Sequence, residues 1–195
     1  MAGRRGMQHT VLVLPGWQNS GPAHWQSLWQ ERHGYRRVEQ HDWMRPLRGD
    51  WIMRLEEELL ACARPVVLAA HSLGCIQVAA WAAHSRHTHR VAGALLVAPG
   101  DAEQIDLREQ LPSWSPIPML RLPFPTRLLA SRDDPFCSFD RAAMLATAWG
   151  SQLVDCGPAG HINTESGLGE WPWGHAHLLD LMRADDLPPP NQEGH

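Results

Sequence analysis

The sequence predicts an α/β fold: a three-layer α/β/α sandwich on a mainly parallel sheet of about six strands, with no large cap domain. Two observations lead to this prediction. Short runs of strand length, such as residues 66–70, are continuously apolar, as expected for parallel strands that are covered on both faces. These runs alternate with segments whose apolar residues recur at helical spacing. The length of 195 residues fits one domain, 1–195, with flexible tails at 1–10 and 185–195.

Three pairs of strand and helix are predicted in the first half of the chain, in the order strand 11–14, helix 23–32, strand 36–40, helix 50–63, strand 66–70 and helix 73–84. The first strand is apolar throughout and is ended by Pro15-Gly16. The second helix carries its apolar residues on one face, and Asp50 is its predicted N-cap. Alanines in the third helix allow it to lie close against a sheet.

In the second half, we predict strands and helices in the order strand 92–98, strand 126–130, helix 139–149, strand 152–155 and helix 175–182. One region breaks the alternation, because residues 99–125 contain six prolines. We expect a loop there with one or two helical turns near the carboxyl ends of the strands, where such sheets bind ligands. Residues 111–120, with Trp114, are therefore a candidate wall of a substrate pocket, although a plain surface excursion fits this segment equally well.

Composition argues against several classes of function. The formal charge is −4 and no basic patch suggests a nucleic-acid partner. All 17 basic residues are arginines, which excludes the chemistry of P-loop and Schiff-base lysines. The four cysteines are scattered and form no C-x-x-C pair, so we expect no metal, no disulfide framework and no cofactor. No targeting segment or membrane span is recognisable, and a cytoplasmic protein with no membrane partner is the prediction.

The strand at 66–70 ends in Ala70-His71-Ser72-Leu73-Gly74, and a helical pattern begins directly afterwards. This is the G-x-S-x-G nucleophile-elbow pattern with alanine in the first glycine position. A sharp turn from strand to helix lifts the serine hydroxyl clear of the sheet and brings neighbouring backbone close, so the flanking residues must be small. Ser72 alone would also fit an ordinary helix N-cap.

A serine nucleophile needs a general base and a carboxylate that orients the base. With this elbow, the expected chain order is serine, acid and histidine, each after a later strand. Asp133 and Asp134 follow the fifth predicted strand, and Asp134 is preferred because Pro135 fixes a turn directly after it. His161 follows the sixth strand on a loop rich in glycine and proline. The order therefore predicts a catalytic triad of Ser72, Asp134 and His161.

The same chemistry needs two donors for the negative charge that develops on the carbonyl oxygen of the substrate. The first predicted donor is the backbone N–H of Leu73, the residue after the nucleophile. The second is expected from the loop after the first strand, where the N–H of Trp17 is the first choice and that of Gln18 the alternative. Gln18 is also a candidate for substrate binding. A simple Pro-Gly turn would explain the start of this loop as well.

Several motifs over nearly the whole chain occur together, among them Leu14-Pro15-Gly16-Trp17, His71-Ser72-Leu73-Gly74, Ser131-x-x-Asp134-Pro135 and Gly160-His161-Ile162-Asn163 followed by Trp171-Pro172. In this combination the sequence resembles the small serine hydrolases grouped with retinoblastoma-binding protein nine. The resemblance implies a compact, nearly capless α/β-hydrolase core with Ser72, Asp134 and His161 as the triad. It also implies esterase or aminopeptidase-like activity.

We therefore predict a serine hydrolase that cleaves a small ester or amide through an acyl-enzyme intermediate. The expected partner is a small-molecule substrate, and a protein partner is left open. Two alternatives remain at this point. One is a catalytically silent hydrolase fold that serves as a protein-binding module, since a fold alone does not establish function. The other is a thioesterase or acyltransferase that uses the same triad.

Overall fold

The computed structural model describes residues 9–185, with side chains described as far as Arg183. Its centre is a sheet of six parallel strands in the order β2-β1-β3-β4-β5-β6. The strands are β1 (Thr10–Leu14), β2 (Arg36–Arg37), β3 (Val66–His71), β4 (Val91–Val97), β5 (Thr126–Ala130) and β6 (Gln152–Asp155). The predicted α/β class with about six parallel strands is confirmed.

Helices cover both faces of the sheet. They are α1 (Trp25–His33), α2 (Arg48–Leu60), α3 (Leu73–Ala82), α4 (Ile105–Gln110), α5 (Phe139–Trp149) and α6 (Pro172–Asp185). Alternate residues of a strand point to opposite faces, so β1 sends Leu12 to one core and Val13 to the other. The first core includes α2, α3 and α5, and the second includes α1 and α6. Three layers result, as predicted.

Several element boundaries differ from the prediction. Strand β2 has two residues in place of the predicted five, and α6 begins three residues before its predicted start. Thr10 belongs to β1, where its N–H donates to the carbonyl oxygen of Pro65 at 2.9 Å, and Asp185 is the last residue of α6. His9 is buried as well, which corrects its assignment to a flexible tail, and the rest of the predicted tails, 1–8 and 186–195, lies outside the described residues. Helix α2 begins two residues before the predicted cap, so Asp50 lies in the first turn, where a carboxylate suits the helix dipole.

The proline-rich segment contains one short helix, α4, and one 3₁₀ turn, Pro112–Trp114, as predicted. However, Trp114 does not line a pocket. Its side chain is 0 % exposed, its indole N–H donates to the carbonyl oxygen of Pro46 at 2.9 Å, and its ring packs edge-on against Trp51. The indole therefore fixes the segment to the core, which corrects its assignment as a pocket wall.

No helix within residues 9–185 is long and apolar enough to cross a membrane. In the same part of the chain, no group of three or more histidine, cysteine and acidic side chains could hold a metal ion.

Candidate active site

Ser72 occupies the turn between β3 and α3 with φ 54° and ψ −121°. This positive φ is unfavourable for a serine, and such a conformation costs on the order of 1–3 kcal/mol. Neighbouring backbone explains why small residues are needed here. A Cβ atom on Gly74 would lie 2.3 Å from the carbonyl oxygen of Leu14, and one on Gly16 would lie 2.7 Å from Cβ of Ser72. The elbow thus has the tight geometry that its sequence pattern predicts.

The structure brings Ser72, His161 and Asp134 into one hydrogen-bonded chain. His161 Nε2 lies 2.9 Å from Ser72 Oγ, and His161 Nδ1 lies 2.9 Å from each carboxylate oxygen of Asp134. The side chain of His161 is 10 % exposed and that of Asp134 is 2 % exposed. An ionised carboxylate only accepts, so the proton of the neutral imidazole belongs on Nδ1. His161 Nε2 is then free to accept the proton of the serine hydroxyl.

Asp133, the second acid considered from the sequence, supports the loop, whereas the imidazole is hydrogen-bonded to Asp134. One carboxylate oxygen of Asp133 accepts hydrogen bonds from the hydroxyl of Ser131 and from the N–H of Gly160, both at 2.8 Å. These hydrogen bonds, with that of Ser131 the stronger influence, lower the pKa of Asp133 below its usual value. Asp133 therefore ties the loop that carries His161 to the end of β5.

The loop after β1 lies against the elbow. The N–H of Gln18 is occupied, because it donates to the carbonyl oxygen of Trp43 at 3.0 Å. Among the described residues, the N–H groups of Trp17 and Leu73 have no acceptor. A Cβ atom on Gly16 would lie 3.2 Å from the nitrogen of Leu73, so the two chain segments touch at this point. The geometry therefore favours Trp17 over Gln18 as the second oxyanion donor.

Arg37, the last residue of β2, holds the loop after β1 in place through hydrogen bonds. Its guanidinium donates to the side-chain oxygen of Asn19 at 2.6 Å and to the carbonyl oxygen of Ser20 at 3.0 Å. Gln18 and Asn19 both have positive φ angles, 67° and 66°, so the loop needs such support. This role of Arg37 was not predictable from the sequence, because a single arginine on a weak strand carries no local signal for the contact.

A cavity of about 670 Å³ opens above Ser72, a size that suits a small organic ligand. Gln18, the candidate for substrate binding, lies in its wall. In place of Trp114, the wall is formed by residues of α4 and its C-terminal end, including Leu107 and Leu111. Phe136 also lines the cavity, and its ring packs edge-on against His161 at 4.6 Å between ring centres.

Two further histidines lie beside His161 in the cavity wall. The ring of His71 is centred 4.8 Å from that of His161, and the ring of His24 is centred 4.7 Å from that of His71. Burial lowers the pKa of His71 well below its usual value, and burial, then Arg37 and His161, lower that of His24 to about 3. Both rings are therefore neutral near pH 7 and add no positive charge to the site.

A comparison with solved structures places this geometry in context. A protein described as a YdeN-like hydrolase from Pectobacterium atrosepticum is 34 % identical, with a TM-score of 0.81 over 93 % of this chain and 94 % of that one. The ydeN gene product of B. subtilis is 19 % identical, with a TM-score of 0.73 over 90 % of this chain and 99 % of that one. Thermogutta terrifontis esterase 2 is 18 % identical, with a TM-score of 0.64 over 94 % and 86 %. The last two matches show the fold alone.

The sequence comparisons identify the family. No curated protein matches the chain significantly. The family model described as serine hydrolase matches residues 11–180, which is most of the chain. Together with the identity to the Pectobacterium protein, this match confirms the family predicted from the motifs. The chain belongs to the serine hydrolase family and has its compact α/β-hydrolase fold.

Proposed function

We propose that this protein hydrolyses a small ester or amide, with Ser72 as nucleophile, His161 as general base and Asp134 as the carboxylate that orients the base. The observation that carries this proposal is the chain of 2.9 Å hydrogen bonds from Ser72 Oγ through both ring nitrogens of His161 to Asp134. The serine lies on a strained elbow at the edge of a cavity, where a substrate carbonyl can reach its hydroxyl. Each component is one that acyl transfer requires.

In the proposed reaction, Ser72 Oγ attacks the carbonyl carbon while its proton passes to His161 Nε2. The carbonyl oxygen becomes negative and is held by the N–H groups of Trp17 and Leu73. Asp134 stabilises the imidazolium, which then gives its proton to the departing alcohol or amine. His161 next takes a proton from water, and the hydroxide so formed attacks the acyl-enzyme. Collapse of the second intermediate returns the proton to Ser72 and releases the acid.

Esters are the first substrates to examine. The cavity of about 670 Å³ accommodates a small acyl group and its leaving group, and the name of the Thermogutta esterase, a protein of the same fold, points to the same chemistry. Aminoacyl amides test the aminopeptidase-like alternative. Thioesters test a thioesterase that uses the same residues. A panel with one common acyl group and three leaving groups separates these activities, because the ratio of kcat/KM values then depends on the leaving group alone.

The decisive experiment is labelling with a fluorophosphonate probe, followed by intact-protein mass measurement. Wild type should gain one adduct and the Ser72→Ala variant none, while His161→Ala should react slower by several orders of magnitude, about 10⁴–10⁶-fold. Ser151→Ala is a matched control. Ser151 precedes β6 and lies at the amino ends of the strands, whereas Ser72 follows β3 at their carboxyl ends. This variant should label like wild type. A correctly folded wild type that gains no adduct would refute the proposal and favour the protein-binding alternative.

A further inference from the structure

Two consecutive carbonyl groups of the loop that carries His161 accept hydrogen bonds from buried rings. His71 Nε2 lies 2.9 Å from the carbonyl oxygen of His161 itself. The indole N–H of Trp25 donates to the carbonyl oxygen of Ile162, also at 2.9 Å. The two donors are 5 % and 1 % exposed, so both hydrogen bonds are shielded from water. We call this pair of contacts the carbonyl clamp.

The clamp joins the parts of the fold that must meet for catalysis. His71 is the last residue of β3 and directly precedes Ser72, so one hydrogen bond links the strand of the nucleophile to the backbone of the base. Trp25 is the first residue of α1 and packs on the same face of the sheet as Ile162. Ile162 has a φ of 48°, a conformation that an isoleucine keeps only where its surroundings impose it.

We propose that His71 and Trp25 are positioning residues that hold the His161 imidazole within hydrogen-bond reach of Ser72 through these two carbonyl groups. The inference rests on the proposed hydrolase function. It assigns a role to the histidine before the nucleophile, which the predicted triad and oxyanion donors do not use. Within residues 9–185, neither ring forms a hydrogen bond with a triad side chain. Trp25 acts through the His161 loop, whereas the ring of His71 also packs beside the His161 imidazole, with 4.8 Å between ring centres.

The chemistry of the two donors suits this role. A carbonyl oxygen only accepts, so His71 must carry its proton on Nε2. An indole N–H is never charged near neutral pH, and the buried His71 ring is neutral as well. Both hydrogen bonds are therefore made without a positive charge next to His161. A lysine or arginine at either position would oppose the imidazolium that forms when His161 accepts the proton of Ser72.

Three substitutions of His71 separate positioning from packing. Glutamine places an N–H near the position of the imidazole Nε2, asparagine places one nearer Nδ1, and leucine provides none. With a p-nitrophenyl ester as substrate, His71→Leu and His71→Asn should lower kcat by about 10–100-fold with KM within a factor of about three, because displacement by 1 Å costs about 10²-fold. His71→Gln should recover most of kcat. Trp25→Phe, which keeps an aromatic side chain of smaller size but removes the N–H, should lower kcat by about tenfold.

A second readout reports on the same hydrogen bonds without turnover. The proton between His161 Nδ1 and Asp134 should give a low-field proton NMR resonance, assigned by its absence in His161→Ala. This resonance should weaken in His71→Leu and return in His71→Gln. His175→Leu is the control. It removes a histidine of α6 whose Nε2 lies 2.8 Å from the hydroxyl of Tyr35. This substitution should change neither kcat nor the resonance.

Two results would overturn the clamp. One is a folded His71→Leu protein with the kcat and the resonance of wild type. The other is an equal loss in the leucine and glutamine variants, which would mean that only the imidazole's packing counts. If His71→Leu does not fold, the kcat values of His71→Gln and Trp25→Phe relative to wild type decide the question. The clamp requires that the first keep most of kcat and that the second lose about tenfold. A wild type that reacts with neither the fluorophosphonate nor the ester refutes the hydrolase proposal instead, and the resonance then decides whether the clamp positions His161.

Discussion

Substitution of Gly16 by alanine tests how closely the loop after β1 must approach the nucleophile. The added Cβ would lie 2.7 Å from Cβ of Ser72, 3.2 Å from the carbonyl oxygen of His71 and 3.2 Å from the nitrogen of Leu73. Ordinary van der Waals contact for such a Cβ begins near 3.4 Å. The loop and the elbow must therefore separate by about 0.7 Å (3.4 minus 2.7), and the atoms that move are those that position the oxyanion donors.

This displacement sets the expected magnitude. Loss of one oxyanion donor costs about 10²–10³-fold in kcat, and misplacement by 1 Å costs about 10²-fold. We therefore expect Gly16→Ala to lower kcat by about 10–10²-fold, with a small change in KM because the outer wall of the cavity is unaffected. Overpacking should also cost about 1–3 kcal/mol of stability, which lowers Tm by about 2–12 °C in a domain of this size.

Gly21→Ala is the matched control. It lies in the same loop, and a Cβ atom there would meet no heavy atom within 4 Å. The assay is hydrolysis of a p-nitrophenyl ester with kcat and KM measured separately, together with thermal unfolding of both variants. Gly21→Ala should match wild type in all three quantities. A Gly16→Ala protein with wild-type kcat would refute the reasoning, because the elbow would then tolerate a shift that the structure does not allow.

Four other variants test the triad, the loops beside it and the packing of the core. Asp134→Asn should lower kcat by about 10⁴-fold, whereas Asp133→Asn should lower it only about tenfold, in the same ester assay. The folded-state pKa of Asp133 is lowered, so its contribution to stability is present above its usual pKa of 3.8 and is lost as the pH falls through the folded-state value. Asp133→Asn should therefore lose less stability on acidification than wild type, measured by urea unfolding at several pH values. Arg37→Gln removes the charged donor to Asn19 and should lower kcat about tenfold. The ratios of kcat/KM among the three leaving groups of the panel should not change. Trp114→Ala should lower the free energy of unfolding by about 3–5 kcal/mol and leave KM unchanged, since the indole is buried away from the cavity; a raised KM in folded protein would contradict this placement.

The arrangement of strands and candidate site residues was predictable because buried parallel strands have a direct sequence pattern. Such strands are apolar without alternation, so β3 was placed to within one residue and β5 with the bounds that the structure has. The exposed edge strand β6 was also placed with its observed bounds. The carboxyl ends of these strands meet at one edge of the sheet. The loops after them therefore bring Asp134 and His161 towards Ser72 whatever their distance in sequence. Chain order and strand position were sufficient to select these residues from 12 histidines and 21 acidic side chains.

Contacts between distant segments were not predictable in the same way. An apolar side chain on a loop, such as Trp114, suits a core and a pocket wall equally well, and only the packing of Pro46 and Trp51 against it distinguishes them. The start of α2 was misplaced because its N-cap, Leu47, makes no side-chain capping hydrogen bond and therefore leaves no signal in the sequence. His71 was seen only as part of the elbow motif, since its acceptor lies 90 positions later in the chain.

The distribution of backbone strain explains why these long-range contacts matter for the site. Six non-glycine residues within 9–185 have positive φ angles, and four of them, Gln18, Asn19, Ser72 and Ile162, lie in the three segments that meet at the cavity. Each such conformation costs on the order of 1–3 kcal/mol and persists only where its surroundings impose it. Each segment is held by a hydrogen bond with another element. Arg37 donates to Asn19, the N–H of Ser72 donates to the last residue of β4, and the indole of Trp25 donates to the carbonyl oxygen of Ile162. Local sequence preferences would relax all three segments. The site geometry is therefore imposed by the assembled fold, so removal of these remote hydrogen bonds should affect kcat more than KM.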